Sequence, residues 1–380
     1  MPEIVLDGLV KKYSGGIRAS DGLSLTVHDG EYLCLLGPTG AGKTTALRMI
    51  CGLTKPDAGR VLFDGEDVTT KPTGARRTTM LSQGYALFPN MDVYHNVVFA
   101  PTIRHWKEED TKQLARSMID MVHMGKKVRS YPHELSGGQQ QRTALARALA
   151  SDSKVLLLDE PLRALDARLR IELRKELKSM VKEMGLTSVH VTHDQEEAME
   201  LADRIAIIRS GKIIQVGTPQ EIFQDPATPF VANFLGRSNI FAGKLVSTDG
   251  TASVIELANG IRVRARPCDL EPGDDAVIAV KVGFTVPELI GAAPDVQDAH
   301  LPDTLPEGYF HGKVERVLYE GSTITIETTV PGLGLVSSQR SSRRYEYYRP
   351  GSEVMITWQP EKASVFRLPA GGLVQEMRLD

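Results

Sequence analysis

Residues Gly37 to Thr44 read GPTGAGKT, and few folds have a use for such a run. It fits G-x-x-x-x-G-K-[ST] and lies between an apolar stretch, EYLCLLG, and a helix-like one, TTALRMI. Gly37, Gly40 and Gly42 let the backbone turn tightly around an anion, and the free N–H groups that open the helix point at phosphate oxygens. The helix dipole adds about half a positive charge at the same place. Lys43 is placed to reach terminal phosphates and Thr44 to hold Mg2+. A glycine-rich turn with a solvated lysine is the plainer reading, and the strand–loop–helix context counts against it. The expectation is a nucleoside triphosphate site built from Gly37, Pro38, Thr39, Gly40, Ala41, Gly42, Lys43, Thr44 and Thr45.

Patterning over residues 1–240 predicts an α/β domain with a mostly parallel sheet. EIVLDGLVKKY and LSLTVHDGEYLCLLG read as strands, and GRVLFDGEDV as a return around Asp64-Gly65. From about 88 to 150 helical spacing replaces the strand pattern, as in YHNVVFA and KQLARSMIDMVHM, which predicts a helical insertion. SKVLLLDE is the continuous apolar run of a buried parallel strand. RLRIELRKELKSMVKEMG reads as an amphipathic helix ending at Gly185, and TSVHVTHD and RIAIIRSGKIIQVG as further strands. TPQEIF opens a helix with Thr218 as cap, Pro219 first and Glu221 completing a capping box. Beyond Phe241 the chain turns to short strands, with Pro/Gly-rich stretches such as IGAAPDVQDAHLPDTLPEG between them. That texture predicts a small β-barrel or sandwich.

Asp159 and Glu160 stand at the C-terminal end of the buried strand KVLLLDEP, the edge where open α/β sheets bind ligands. Asp159 suits the Mg2+ shell, directly or through water; Glu160 suits a general base or a positioner for an attacking water. Two exposed acids capping the next helix would be the bland alternative, and the phosphate loop weighs against it. A second glycine pair, Gly137-Gly138 in ELSGGQQQR, opens another helix with Ser136 as a candidate cap. It too offers oriented N–H donors.

In order and spacing, the phosphate loop, LSGGQQQR, VLLLDEP, Gln83 in LSQGYALFP and His193 in HVTHDQEEAM resemble an ATP-binding-cassette ATPase over roughly residues 1–238. The resemblance implies a P-loop α/β core, RecA-like, with a helical subdomain near 88–150. It also implies that two cassettes pair head to tail, so that Ser136, Gly137, Gly138 and Gln139 of one close on the γ-phosphate held by the other. Tyr13 resembles the aromatic that stacks on adenine, although an ordinary strand-end tyrosine also fits. Gln83 resembles the glutamine that senses Mg2+ and water and links to the membrane partner. His193 resembles the switch histidine near the γ-phosphate. Asp166, in RALDARLR, resembles the loop that touches the opposite protomer. Arg163 departs from the small residues common there, so a guanidinium stands beside the expected seam with either a contact or a clash to make.

The part from 239 to 380 resembles the oligonucleotide-fold-like, all-β regulatory domain of importer ATPases of the maltose, polyamine, ferric-ion, sulfate and phosphonate group. A generic packing module is the alternative. YALFPNMDVYHNVVFA matches the segment that faces the membrane subunit in such importers. The linker reads GRSNIF rather than the sugar-type pattern, which tilts the substrate toward a polyamine, iron or an anion. The implied cofactors are ATP and Mg2+. Implied partners are a second ATPase subunit (identical or closely related), transmembrane permease subunits and, through them, an extracytoplasmic substrate-binding protein. The expected place is the cytoplasmic face of the membrane. A soluble cassette or an exporter ATPase stands as the alternative.

Composition agrees with this frame. Net charge is −3 and the second part is mildly acidic, which argues against nucleic acid as a partner. Three scattered cysteines build neither a disulfide framework nor a zinc site. No apolar run approaches the ~20 residues that span a bilayer, and the first residues lack a secretory pattern.

Overall fold

The structure, a computed structural model, describes residues 2–82, 84–257, 260–290 and 308–378. The chain divides into two compact units at 220/221. The first opens with β1 (Ile4–Lys12), β2 (Arg18–Val27), β3 (Tyr32–Leu36), α1 (Lys43–Cys51), β4 (Ala58–Phe63), β5 (Glu66–Asp67) and β6 (Thr78–Leu81). Four helices come next with no strand among them: α2 (Val93–Val97), α3 (Phe99–Ile103), α4 (Glu108–Met121) and α5 (Gly137–Leu149). Then come β7 (Val155–Asp159), α6 (Ala167–Glu183), β8 (Thr187–Thr192), α7 (Gln195–Leu201), β9 (Arg204–Arg209) and β10 (Lys212–Gly217).

These strands make two sheets. The six-stranded sheet runs β10-β9-β3-β8-β7-β6 and is parallel except for the β9–β10 hairpin. Its central strands β3, β7 and β8 are buried at every residue, as strands covered on both faces must be. The early strands instead form a separate antiparallel sheet, β2-β1-β4-β5. One apolar core lies between them, with Leu6, Leu23 and Val61 on one side and Leu35, Leu157 and Val189 on the other. Register decides where the ends of the parallel strands fall. Leu36 of β3 is level with Thr192 of β8, and Asp159 of β7 with Val191 of β8, so three strands end together.

The second unit takes in α8 (Pro219–Gln224) but for its first two residues, then α9 (Pro229–Phe234) and the strands β11 (Ser238–Thr248), β12 (Ser253–Leu257), β13 (Arg262–Ala265) and β14 (Asp275–Lys281). These lead to β15 (Val286–Leu289), β16 (Tyr309–Tyr319), β17 (Thr323–Val330), β18 (Gly334–Ser341), β19 (Glu353–Thr357) and β20 (Ala363–Arg367), with a closing turn of helix, α10 (Gly372–Glu376). Two five-stranded antiparallel sheets, β13-β12-β11-β14-β20 and β15-β19-β16-β17-β18, share one core. Trp358 sits in it, stacked on Phe241 at 6.0 Å and Phe310 at 5.2 Å, with its N–H donating to the Arg264 carbonyl. The change of texture read near Phe241 is the start of this all-β arrangement. Residues 291–307, most of the Pro/Gly-rich stretch, lie outside the described residues.

Candidate nucleotide-binding and hydrolytic site

β3 delivers the phosphate loop, and two of its glycines answer to neighbours in this chain as well as to any anion. A Cβ at Gly37 would stand 2.2 Å from the Ile208 carbonyl oxygen, and one at Gly42 would stand 1.9 Å from that of Ala19. Gly42 also has φ 101°, the left-handed turn from which α1 starts. Lys43, the first residue of α1, is buried. Its ammonium donates to the carbonyl oxygens of Gly37 (2.8 Å) and Pro38 (2.7 Å), so the loop wraps around it and one of its three N–H groups is left over. Burial lowers its pKa, against the pull of the Glu160 and Asp159 carboxylates. Thr44 Oγ1 donates to Asp159 Oδ1 at 3.1 Å and so ties α1 to the end of β7. Burial raises the Asp159 pKa; the Thr44 bond works the other way and the Glu160 charge adds to the rise. A hydroxyl beside a buried carboxylate is an oxygen set that suits a hard divalent cation, and a cation there would offset the cost of burying the carboxylate.

Glu160 follows β7 with φ 52°, a left-handed conformation that a residue with a side chain adopts at a cost. Its N–H donates to the Val191 carbonyl of β8 at 2.9 Å, which holds the turn. Both oxygens of its carboxylate are engaged. Oε1 lies 3.1 Å from His193 Nδ1, and Oε2 accepts from Arg163 Nη1 at 2.8 Å. His193 follows β8, so the loop, the carboxylates and the histidine come from the ends of three neighbouring strands. An open cavity of about 200 Å3 is lined by Ala19, Thr39 to Thr45 and Glu160. A second, of about 140 Å3, is lined by Glu160, Arg163, Arg170, His193 and Asp194 among others. Glu160 forms part of both walls.

The other sequence-predicted residues stand elsewhere. Ser136 caps α5: its Oγ accepts from the Gln139 N–H at 3.4 Å, and the Gln139 side chain accepts from the Ser136 N–H at 3.0 Å. A Cβ at Gly138 would approach the Ala164 carbonyl oxygen to 3.2 Å, whereas one at Gly137 would meet nothing within 4 Å. Asp166 caps α6, accepting from the Leu169 N–H at 3.0 Å. Tyr13 is exposed, with the Lys11 ammonium 5.9 Å from its ring centroid. Gln83 lies outside the described residues.

Two residues of α5 escaped the sequence reading. Buried Gln141 donates to the Glu160 carbonyl at 3.2 Å and accepts from the Ala164 N–H at 3.0 Å, clamping the loop that carries Glu160. Arg147 donates to the carbonyls of Tyr85 (3.1 Å) and Ala86 (3.0 Å) and lies 5.1 Å from the Phe88 ring centroid. The run QQQ hides three different tasks: Gln139 in the cap, Gln140 bonded to the Pro132 carbonyl, Gln141 on the clamp. Helical phase alone separates them, and phase is known only once the start of α5 is fixed.

Comparison with known proteins agrees with this geometry. Residues 20–163 match the family model described as ABC transporter, and residues 287–366 match the TOBE domain model. Several relatives are called "Spermidine/putrescine import ATP-binding protein PotA". The one from Acidothermus cellulolyticus is 39% identical, covering 95% of this chain and 93% of its own length. That from Thermobifida fusca is also 39% identical, covering 96% and 94%. The Haemophilus influenzae protein is 42% identical over 71% of each chain. Among solved structures, a dimeric ATP-binding cassette in a post-hydrolysis state with ADP and Pi is 31% identical, with TM-score 0.53, covering 57% of this chain and 98% of its own. A triphosphate loop, a carboxylate pair and a capped LSGGQ helix on one P-loop α/β unit, followed by an all-β domain, are thus found together in a chain that belongs to the ABC transporter family as one of its ATPase subunits.

Proposed function

We propose that the chain is the ATPase subunit of a polyamine importer, acting in pairs at the cytoplasmic face of the membrane against permease subunits fed by a substrate-binding protein. The observation that carries the hydrolytic part is the convergence of Lys43, Thr44, Asp159, Glu160 and His193 at the ends of β3, β7 and β8. The polyamine part is supported by relatives of that name matching over 93% and 94% of their own length. No described helix is long and apolar enough to cross a membrane, so transport calls for spanning partners.

The triphosphate lies along Gly37 to Thr45, with the loop N–H groups and Lys43 against its oxygens. Thr44 and Asp159 would hold Mg2+, with Gln83 a third candidate; the ion supplies charge neutralisation on the phosphate oxygens. Glu160 orients the attacking water and takes its proton as the water oxygen bonds to the γ-phosphorus and the bond to ADP breaks. His193, against Glu160, fixes the direction of that carboxylate. Ser136 to Gln139 serve the nucleotide of a second copy. Support for this comes from Gly137: no described residue lies within 4 Å of the place a Cβ would take, which leaves its backbone open to close approach by a second copy's nucleotide.

Substitution Glu160→Gln tests the chemistry. ATP affinity should stay within about two-fold, and turnover should fall by about 10²–10⁴, the range that a positioned base contributes. Turnover at the wild-type rate would remove Glu160 from the reaction. The cargo is tested in vesicles holding the permease subunits and the binding protein. Spermidine or putrescine should stimulate ATP hydrolysis, and stimulation by sugar, iron or an anion instead would overturn the polyamine assignment.

A further inference from the structure

Arg163 has no part in the hydrolytic scheme, yet it holds the residue on which hydrolysis depends. Its N–H reaches back to the Glu160 carbonyl at 3.4 Å, and this tight turn brings the guanidinium onto the carboxylate, Nη1 to Oε2, at 2.8 Å. The loop around it is fastened on both sides. Gln141 holds the Ala164 N–H, and Arg170 Nη2 donates to the Leu165 carbonyl at 3.0 Å. The Glu160 side chain is 11% exposed and that of Arg163 is 64% exposed, so the acid is fixed within the fold and the arginine arm is free to leave.

Glu160 walls both cavities, but the groups bonded to its carboxylate, His193 and Arg163, line the smaller one. No hydrogen bond to that carboxylate comes from the phosphate loop among the described residues. With both oxygens engaged by these two side chains, the carboxylate has no oxygen without a partner to take up an attacking water.

We propose that Arg163 is a positioning residue that holds the Glu160 carboxylate in the isolated cassette, and that turnover requires the guanidinium to let go. The proposal rests on Glu160 acting on the attacking water. It accounts for an arginine at a position beside the seam where the sequence left contact and clash both open.

The test uses the full chain without permease. Arg163→Ser should raise kcat about two- to five-fold, the range of an opened exposed ion pair, while KM for ATP stays unchanged. Arg163→Lys, which keeps the cation, should return the rate toward wild type; Arg163→Gln serves as the neutral variant if the serine one does not fold. Raising ionic strength should bring the rates of wild type and Arg163→Ser together, because a screened pair no longer differs from a missing one. A kcat in Arg163→Ser or Arg163→Gln that is unchanged or lower, or a lysine variant as fast as the neutral one, overturns the proposal. Glu160→Gln made in both backgrounds keeps the two readings apart. If it is inactive in both, a failure at Arg163 is a failure of this restraint alone. If it is active in either, the role of Glu160 itself is lost.

Discussion

Lys281 offers a prediction whose size can be worked out from the structure. It ends β14 inside the second unit, 8% exposed, with its ammonium donating to the carbonyls of Ala232 (2.9 Å) and Leu235 (2.8 Å) at the end of α9. The ammonium also lies 4.4 Å from the Phe223 ring centroid. Burial lowers its pKa from 10.5 to about 8. The unfolded chain then binds the proton more tightly than the folded one, so stability rises with pH between about 8 and 10.5 and the cost is fully present below 8. At 1.36 kcal/mol per unit, the full shift is worth roughly 3 kcal/mol, of which about 2 is recovered between pH 7 and pH 9.5. Lys281→Met removes this dependence. It also leaves two carbonyls unpaired, at about 1–3 kcal/mol each, so its stability at pH 7 is a poor measure of the shift. The pH dependence is the clean one. With Trp106 replaced by Phe, Trp358 is the single indole left and its fluorescence reports the melting of this unit. From pH 7 to 9.5 the wild-type melting temperature should gain roughly 4–8 °C on that of Lys281→Met, at about 2–4 °C per kcal/mol. Parallel curves for the two proteins would refute a buried cation at this position.

Three further substitutions probe other contacts. Gly42→Ala combines a left-handed φ with a Cβ 1.9 Å from a backbone oxygen; it should cost more than about 2 kcal/mol in a thermal melt and abolish binding of a fluorescent ATP analogue. Gly137→Ala places a methyl in open space, so the melting temperature should hold while ATP turnover and ATP-dependent pairing in gel filtration both drop at least about ten-fold; full turnover would refute a glycine kept for a partner's nucleotide. Arg147→Ala frees the carbonyls of Tyr85 and Ala86, and in reconstituted vesicles it should lower cargo-stimulated hydrolysis at least about ten-fold, the rate equivalent of the ~1.5–3 kcal/mol of charged hydrogen bonds, with little change in the isolated subunit.

The parts of this molecule that were legible in the sequence are those whose signal is local. Continuous apolar runs gave β3 and β7, because a strand buried on both faces favours them. The phosphate loop, the Ser136 cap and the acids at the strand end come from backbone chemistry within a few residues. Partition of the strands into two sheets was not legible, since β1, β2 and β4 alternate like any half-buried strand and their pairing is settled only by tertiary contacts. β6, Thr-Thr-Met-Leu, was too short to read, and its place comes from parallel pairing with β7. Gly37 was read for the anion, but its contact with the Ile208 carbonyl spans more than half of the first unit and no local pattern carries it. Arg163 was visible as an oddity, and only the left-handed turn at Glu160 shows why its guanidinium meets the acid.

The same turn explains why α5 matters beyond its capped end. Its 13 residues are about 20 Å long at 1.5 Å each, with Ser136 and Gly137 at one end and Arg147 near the other. Between them Gln141 holds the Glu160 carbonyl and the Ala164 N–H, so a movement of the helix start is passed to the turn that aims the carboxylate. A left-handed glutamate is stable only while its surroundings over-determine it, and bonds from Gln141, to the Val191 carbonyl and from the Arg163 N–H do so. Gln141→Leu keeps the volume and removes both of its bonds, leaving the Ala164 N–H without a partner, at about 1–3 kcal/mol, and the Glu160 carbonyl with only the 3.4 Å bond from the Arg163 N–H. Because α1, Lys43 and Thr44 are not bonded to Gln141, ATP affinity should change less than about two-fold while kcat falls at least about ten-fold, the rate equivalent of about 1.4 kcal/mol. Equal losses in affinity and kcat would mean that Gln141 supports the whole cassette rather than the aim of Glu160, and an unaltered kcat would show that the turn needs no clamp.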